Sequence, residues 1–115
     1  MKEFIGIPYE KLDCWDLIQA VYARYLDMDL GDRTEQSGHI KDGTWGEVNV
    51  EDLQRYDVLV FDDGFQPHVG LVIDGGRFLH TIAGVNSCVD SYKRSQWRDR
   101  LRRAYRHKRL AYMVV

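Results

Sequence analysis

The chain has 115 residues, 44% hydrophobic and 30% charged, with a formal net charge of -2. That composition excludes a disordered, fibrous or membrane-embedded chain and leaves room for one core, so residues 1–115 are expected to form a single domain. A core of this size needs neither disulfides nor a structural metal, and the two cysteines, Cys14 and Cys88, fit no disulfide framework or zinc ribbon.

Residues 1–11 lack the long apolar run of a secretory leader, and no stretch reaches the length of a membrane span. The expectation is a protein made in the cytoplasm without a signal peptide. After Pro8-Tyr9, Asp13 can cap a helix in which Cys14, Leu17, Ile18, Val21, Tyr22 and Tyr25 recur at helical spacing. The helix is predicted to run for about 20 Å and to end by Gly31. Residues 31–46 are polar and punctuated by Gly31, Gly38, Gly43 and Gly46, which predicts a long loop of the kind that borders a site.

Three strand-like runs follow, Asp57 to Phe61, His68 to Ile73 and Phe78 to Ile82, separated by Asp62-Asp63-Gly64 and Asp74-Gly75-Gly76. The second turn predicts a hairpin joining Val69–Ile73 to Arg77–Thr81. Val85 to Val89 can add a strand, Lys93 to Tyr105 has the helix formers for a short helix turning Trp97 and Leu101 inward, and Leu110 to Val115 reads as a final strand. Trp45 and Trp97 are assigned to packing. From Lys93 onward nine Lys or Arg stand against Asp99 alone, while the preceding residues carry seven against seventeen acids. Such a basic run suits either an anionic polymer or a solvated face complementing an acidic body, with nucleic acid the disfavoured partner. The fold class is α+β: one helix packed on an antiparallel β-sheet meander.

Cys14 falls at the predicted helix start, where unpaired N–H groups and the helix dipole favour a thiolate. By position it is a candidate nucleophile, although a lone helical cysteine is more often core. With the hairpin turn at Asp74-Gly75, facing residues have numbers summing to about 149, which sets His68 near Thr81 and His80 near Val69 as diagonal neighbours. A thiol, a base and a group that orients the base form the layout of covalent acyl transfer. Metal binding by the two histidines is the competing use, with no third ligand at a nearby spacing. No cofactor is expected. His39, in the long loop, is a weaker candidate, and Cys88 reads as a small buried hydrophobe.

The runs Gly6-Ile-Pro-Tyr9, Asp13-Cys14 with Leu17 and Val21-Tyr22, Asp57-Val-Leu-Val-Phe61, His68-Val-Gly-Leu-Val72, Gly76-Arg-Phe-Leu-His80 and Gly84-Val85 with Ser87 together resemble the NlpC/P60 cysteine peptidases. The resemblance implies a papain-like fold with Cys14 as nucleophile, His68 as base and His80 as the third polar residue. It implies too that Tyr9, with Asp13 and Trp15 at the same turn, positions the substrate or the oxyanion, and that the scissile bond joins γ-D-glutamate to the diamino acid of a peptidoglycan stem peptide. Trp15-Asp16 stands where many members have Ser-Gly, and Tyr56-Asp57 where Gly-Asp often opens a strand. The Trp after the cysteine is similar to members found in bacteriophage tail-assembly proteins. Phage tail proteins are then candidate partners, and a virion tail a candidate location. Trp15 either shapes the cleft or packs under the long loop. Two rival roles stay open: a tail assembly or structural component without turnover, and a thiol amidase or acyltransferase of the same fold.

Overall fold

Residues 1–32, 41–62 and 67–111 are described by a computed structural model. Helix α1 covers Cys14–Leu26, its start fixed by the Asp13 carboxylate, which accepts the Asp16 N–H at 2.9 Å. It ends at Asp27, whose left-handed backbone (φ 52) closes the last turn. Leu17, Ile18, Val21 and Tyr22 form its buried stripe, as the spacing predicts.

The strands are β1 (Trp45–Val48), β2 (Val58–Asp62), β3 (Pro67–Asp74), β4 (Arg77–His80), β5 (Cys88–Ser91) and β6 (Leu101–His107). They form one sheet in the order β1-β6-β2-β3-β4-β5, with every neighbouring pair antiparallel. From β2 to β5 this is the expected meander, and β6 returns to lie between β1 and β2. Side chains alternate between two faces. Val58, Val69, Leu71, Ile73 and Leu79 share a core with α1, whereas Leu59, Phe61, Val72, Phe78, Ala104 and Trp97 make a second cluster on the other face. No helix among the described residues is long and apolar enough to cross a membrane.

Four sequence expectations are corrected. Lys93 to Tyr105 is not a helix. One helical turn, α2 (Ser95–Arg98), buries Trp97, after which the chain runs extended as β6. Helix propensity yields there to pairing on both sides, with β1 through Trp45–His107 and with β2 through Val58–Tyr105. Leu101–His107 is therefore an interior strand of the sheet rather than part of a helix: Arg106 meets the buried Asp57, while Arg103, still exposed, reaches Glu47 at 3.5 Å. Leu110 lies not in a strand but in a last helical turn, α3 (Lys108–Ala111), and residues 112–115 fall outside the described residues. In the predicted loop, Trp45–Val48 is a strand, while His39 lies outside the described residues.

The hairpin register is the fourth. Leu71 faces Leu79 and Val72 faces Phe78, so facing numbers sum to 150 rather than the expected 149. One residue of slip exchanges the faces of a strand. An odd sum would send His68 and His80 to opposite faces; the even sum brings them to the same one.

Candidate active site

His68 faces Phe61 across β2–β3, and His80, the last residue of β4, faces Cys88 across β4–β5. Both rings project from the sheet face that carries Phe61, Phe78 and Trp97. His68 Nε2 is 2.8 Å from His80 Nδ1, and His80 Nε2 is 2.6 Å from Asp90 Oδ2. The three side chains thus form a continuous polar chain across β3, β4 and β5. Aromatic rings wall it in: Trp97 stacks on His68 at 5.7 Å and meets His80 edge-on at 4.8 Å, and Phe78 lies 4.4 Å from His80.

The His80 side chain is wholly buried (0% exposed). Burial pushes its pKa below the ordinary imidazole value, against the opposing pull of Asp90, and so favours the neutral ring. A neutral imidazole carries one N–H. The hydrogen-bond network assigns it to Nε2, where it donates to the Asp90 carboxylate, so that Nδ1 accepts from the Nε2–H of His68. His68 Nδ1 is then the nitrogen with a lone pair to offer, the form a general base needs.

Cys14 is the first residue of α1 and half-buried. Cys14 and Trp15 both pack against the core that α1 shares with the sheet, and α1 lies against β3. The turn before the helix is fastened to the stretch leading into β5. Buried Ser87 donates through Oγ to Phe4 O at 2.6 Å and accepts Ile7 N–H at 2.9 Å, its own N–H donates to Ile7 O, and Pro8 bridges to Asn86. That fastening holds half-buried Tyr9 and the Asp13 cap at the mouth of the helix. The structure therefore joins His68 directly to His80, and carries Cys14, Tyr9, Asp13 and Trp15 on the segment that packs against β3.

Sequence reasoning missed one residue of the site and misread another. Asp90 is the third member of the chain, and Cys88 is no plain hydrophobe: its Sγ lies 3.6 Å from His80 Nε2 and 3.8 Å from Asp90 Oδ2. Burial and the Asp90 charge both raise the Cys88 pKa, which keeps it a thiol. The signal was the period of two in Cys88-Val89-Asp90, which puts both side chains on the face carrying His80. Trp97, assigned to packing, does pack, but against the two imidazoles.

A helix carrying a cysteine at its N-terminus, laid on an antiparallel sheet that presents a His–His–Asp chain, defines an α+β domain with thiol and imidazole side chains on adjoining elements. The NlpC/P60 family profile matches residues 3–106, and the chain belongs to that family. A comparison with curated proteins gives no match. Among solved structures, the NlpC/p60 domain of the peptidoglycan hydrolase SagA is 22% identical, with a TM-score of 0.67 over 91% of each chain. A protein of Staphylococcus aureus subsp. aureus Mu50, described as similar to a lipoprotein of the NLP/P60 family, is 24% identical with a TM-score of 0.69. An NlpC/P60 family protein of Bacillus cereus ATCC 10987 is 21% identical with a TM-score of 0.71. The chain is covered to 91% and 92% in these two pairs but spans only 38% and 37% of the other proteins' lengths. At such identities the likeness is one of fold.

Proposed function

We propose that the chain is one catalytic domain, a thiol endopeptidase that cleaves peptidoglycan stem peptides between γ-D-glutamate and the diamino acid. The observation that carries the proposal is the His68–His80–Asp90 chain, which leaves His68 Nδ1 as a base for a cysteine. In this reading the Cys14 proton passes to His68, and the thiolate attacks the carbonyl carbon of the scissile amide. Backbone N–H groups at the start of α1, with Tyr9, stabilise the oxyanion. As the tetrahedral centre collapses, His68 returns its proton to the departing amine, leaving an acyl-enzyme on Cys14. Water, deprotonated by His68, then releases the peptide acid. Family membership supports this assignment, as does the SagA domain, whose parent is a peptidoglycan hydrolase.

The test is digestion of purified wall and of synthetic stem peptide, read by mass spectrometry. Cys14→Ala and His68→Ala should abolish cleavage, since a positioned histidine alone is worth about 10²–10⁴ in rate. Equal digestion by Cys14→Ala would end the proposal. Fragments from a different amide, or acyl transfer to an added amine, would move the chain to the amidases or acyltransferases of the same fold.

A further inference from the structure

Beyond the catalytic reading, the inner end of the polar chain offers a second chemistry. Three ligand atoms of three kinds converge there: His80 Nε2, Cys88 Sγ and Asp90 Oδ2, all within 4.8 Å of one another. Sequence spacing offered two histidines and no third ligand. Strand β5 supplies two, because Cys88 stands opposite His80 and Asp90 follows on the same face. Around a tetrahedral zinc ion, with bonds of about 2.0–2.3 Å, two ligand atoms lie roughly 3.4–3.6 Å apart. The sulfur already sits at 3.6 Å from the imidazole nitrogen and 3.8 Å from the carboxylate oxygen. Only the 2.6 Å contact between His80 and Asp90 must open. Asp90, with 32% of its side chain exposed, is the member able to move, and it leaves a solvent side for a fourth, water ligand.

We propose that His80, Cys88 and Asp90 form a binding site for a thiophilic divalent cation of the zinc class, and that its occupancy switches off the catalytic chain. The mixed nitrogen, sulfur and carboxylate donor set selects zinc-like ions over magnesium or calcium, which take oxygen ligands. Binding releases one proton, from the Cys88 thiol to solvent. His80 stays neutral, so its proton must move from Nε2, now on the metal, to Nδ1. Nδ1 then donates toward His68 Nε2, which must accept, and the remaining proton of His68 sits on Nδ1. In that tautomer His68 has no lone pair for a thiol proton, and protonating it would set two N–H groups against each other at 2.8 Å. The second half of the proposal rests on the catalytic role given above to Cys14 and His68; the metal site does not.

The test uses chelator-treated full chain, titrated with Zn²⁺ by calorimetry and with Co²⁺ by absorption, where a thiolate-to-cobalt charge-transfer band reports sulfur ligation. Wild type and Cys14→Ala should each bind one ion with that band. Cys88→Ala should lose it and weaken binding by at least about tenfold. Cys88→Ser, which keeps the volume, tests the same point if the alanine variant unfolds. Binding lost in Cys14→Ala but kept in Cys88→Ser would put the metal on the other cysteine and overturn the site. Wall-digesting activity of the wild type should fall in step with occupancy and return with chelator. Full activity at saturation would overturn the switch, whereas an inactive metal-free protein that still binds Zn²⁺ through Cys88 would count against the catalytic reading alone.

Discussion

Asp90 holds His80 from behind, its Oδ2 lying 2.6 Å from His80 Nε2 across β4 and β5. His80 in turn meets His68 through its other nitrogen, so the carboxylate determines which tautomer reaches the base two side chains away. A buried neutral imidazole with both nitrogens engaged has one arrangement of protons left to it.

That arrangement predicts a kinetic signature for Asp90→Ala. Losing a group that orients a catalytic imidazole directly costs about 10⁴ in kcat. Asp90 acts one ring further out, so a loss on the order of 10–100-fold in kcat is expected, with KM nearly unchanged. Steady-state kinetics on a stem peptide decides it. A change in KM alone would remove Asp90 from the chain.

The buried Asp57, outside the polar chain, predicts a stability effect. Its carboxylate is fully enclosed, accepts Arg106 Nε at 2.9 Å and Arg106 Nη2 at 2.8 Å, and accepts Gln54 N–H at 2.8 Å. Arg106→Ala would leave this charge without its counterion, a change worth about 3–5 kcal/mol when a buried pair is broken. The double variant Asp57→Leu with Arg106→Leu should be less destabilised than Arg106→Ala, because no charge remains buried. Urea unfolding of both variants gives the comparison; equal losses would contradict the account.

How far the sequence reached depended on whether the deciding contacts were local. The Asp13 cap, the α1 stripe and the pairing of β3 with β4 rest on neighbours within a few residues and were legible, although the register of that hairpin was not. The fate of Leu101–His107 was settled by β1 and β2, some forty to sixty residues away, which no window on the basic run could reveal. His68 and His80 were legible as a pair, yet the parity that lets their rings meet depended on one residue of register in the turn. Asp90 and Cys88 belong to a strand whose start was placed at Val85, a residue that proves half exposed.

Tyr56 explains a departure from the family pattern. Its φ of 75 lies in the left-handed region, where the glycine often found at this position is at ease. The side chain compensates by packing its ring 6.1 Å from Tyr22, while its carbonyl accepts the Tyr22 hydroxyl. Tyr56→Ala loses the ring but keeps the Cβ that the backbone disfavours. Tyr56→Gly loses both, and should be the more stable of the two by about 1 kcal/mol. Thermal unfolding of the pair tests this, and an alanine variant as stable as the glycine one would refute it.

Gly70 carries the last prediction, which links packing to the site. A Cβ built there would stand 2.6 Å from Phe78 Cδ2 and 3.1 Å from Cε2. Phe78 has nowhere to swing: it is wholly buried, 5.0 Å from Phe61, 5.4 Å from Trp97 and 4.4 Å from His80 by ring centroids. Gly70→Ala should therefore destabilise the fold by about 1–3 kcal/mol, the usual cost of overpacking. The displaced ring should press on His80, lowering activity at temperatures where the variant is still folded. Trimming the obstacle separates the two effects, because Gly70→Ala with Phe78→Leu should lose less stability than the two single changes added together. Strict additivity, or a Gly70→Ala protein as stable and as active as the parent, would show that Phe78 is not what the glycine makes room for.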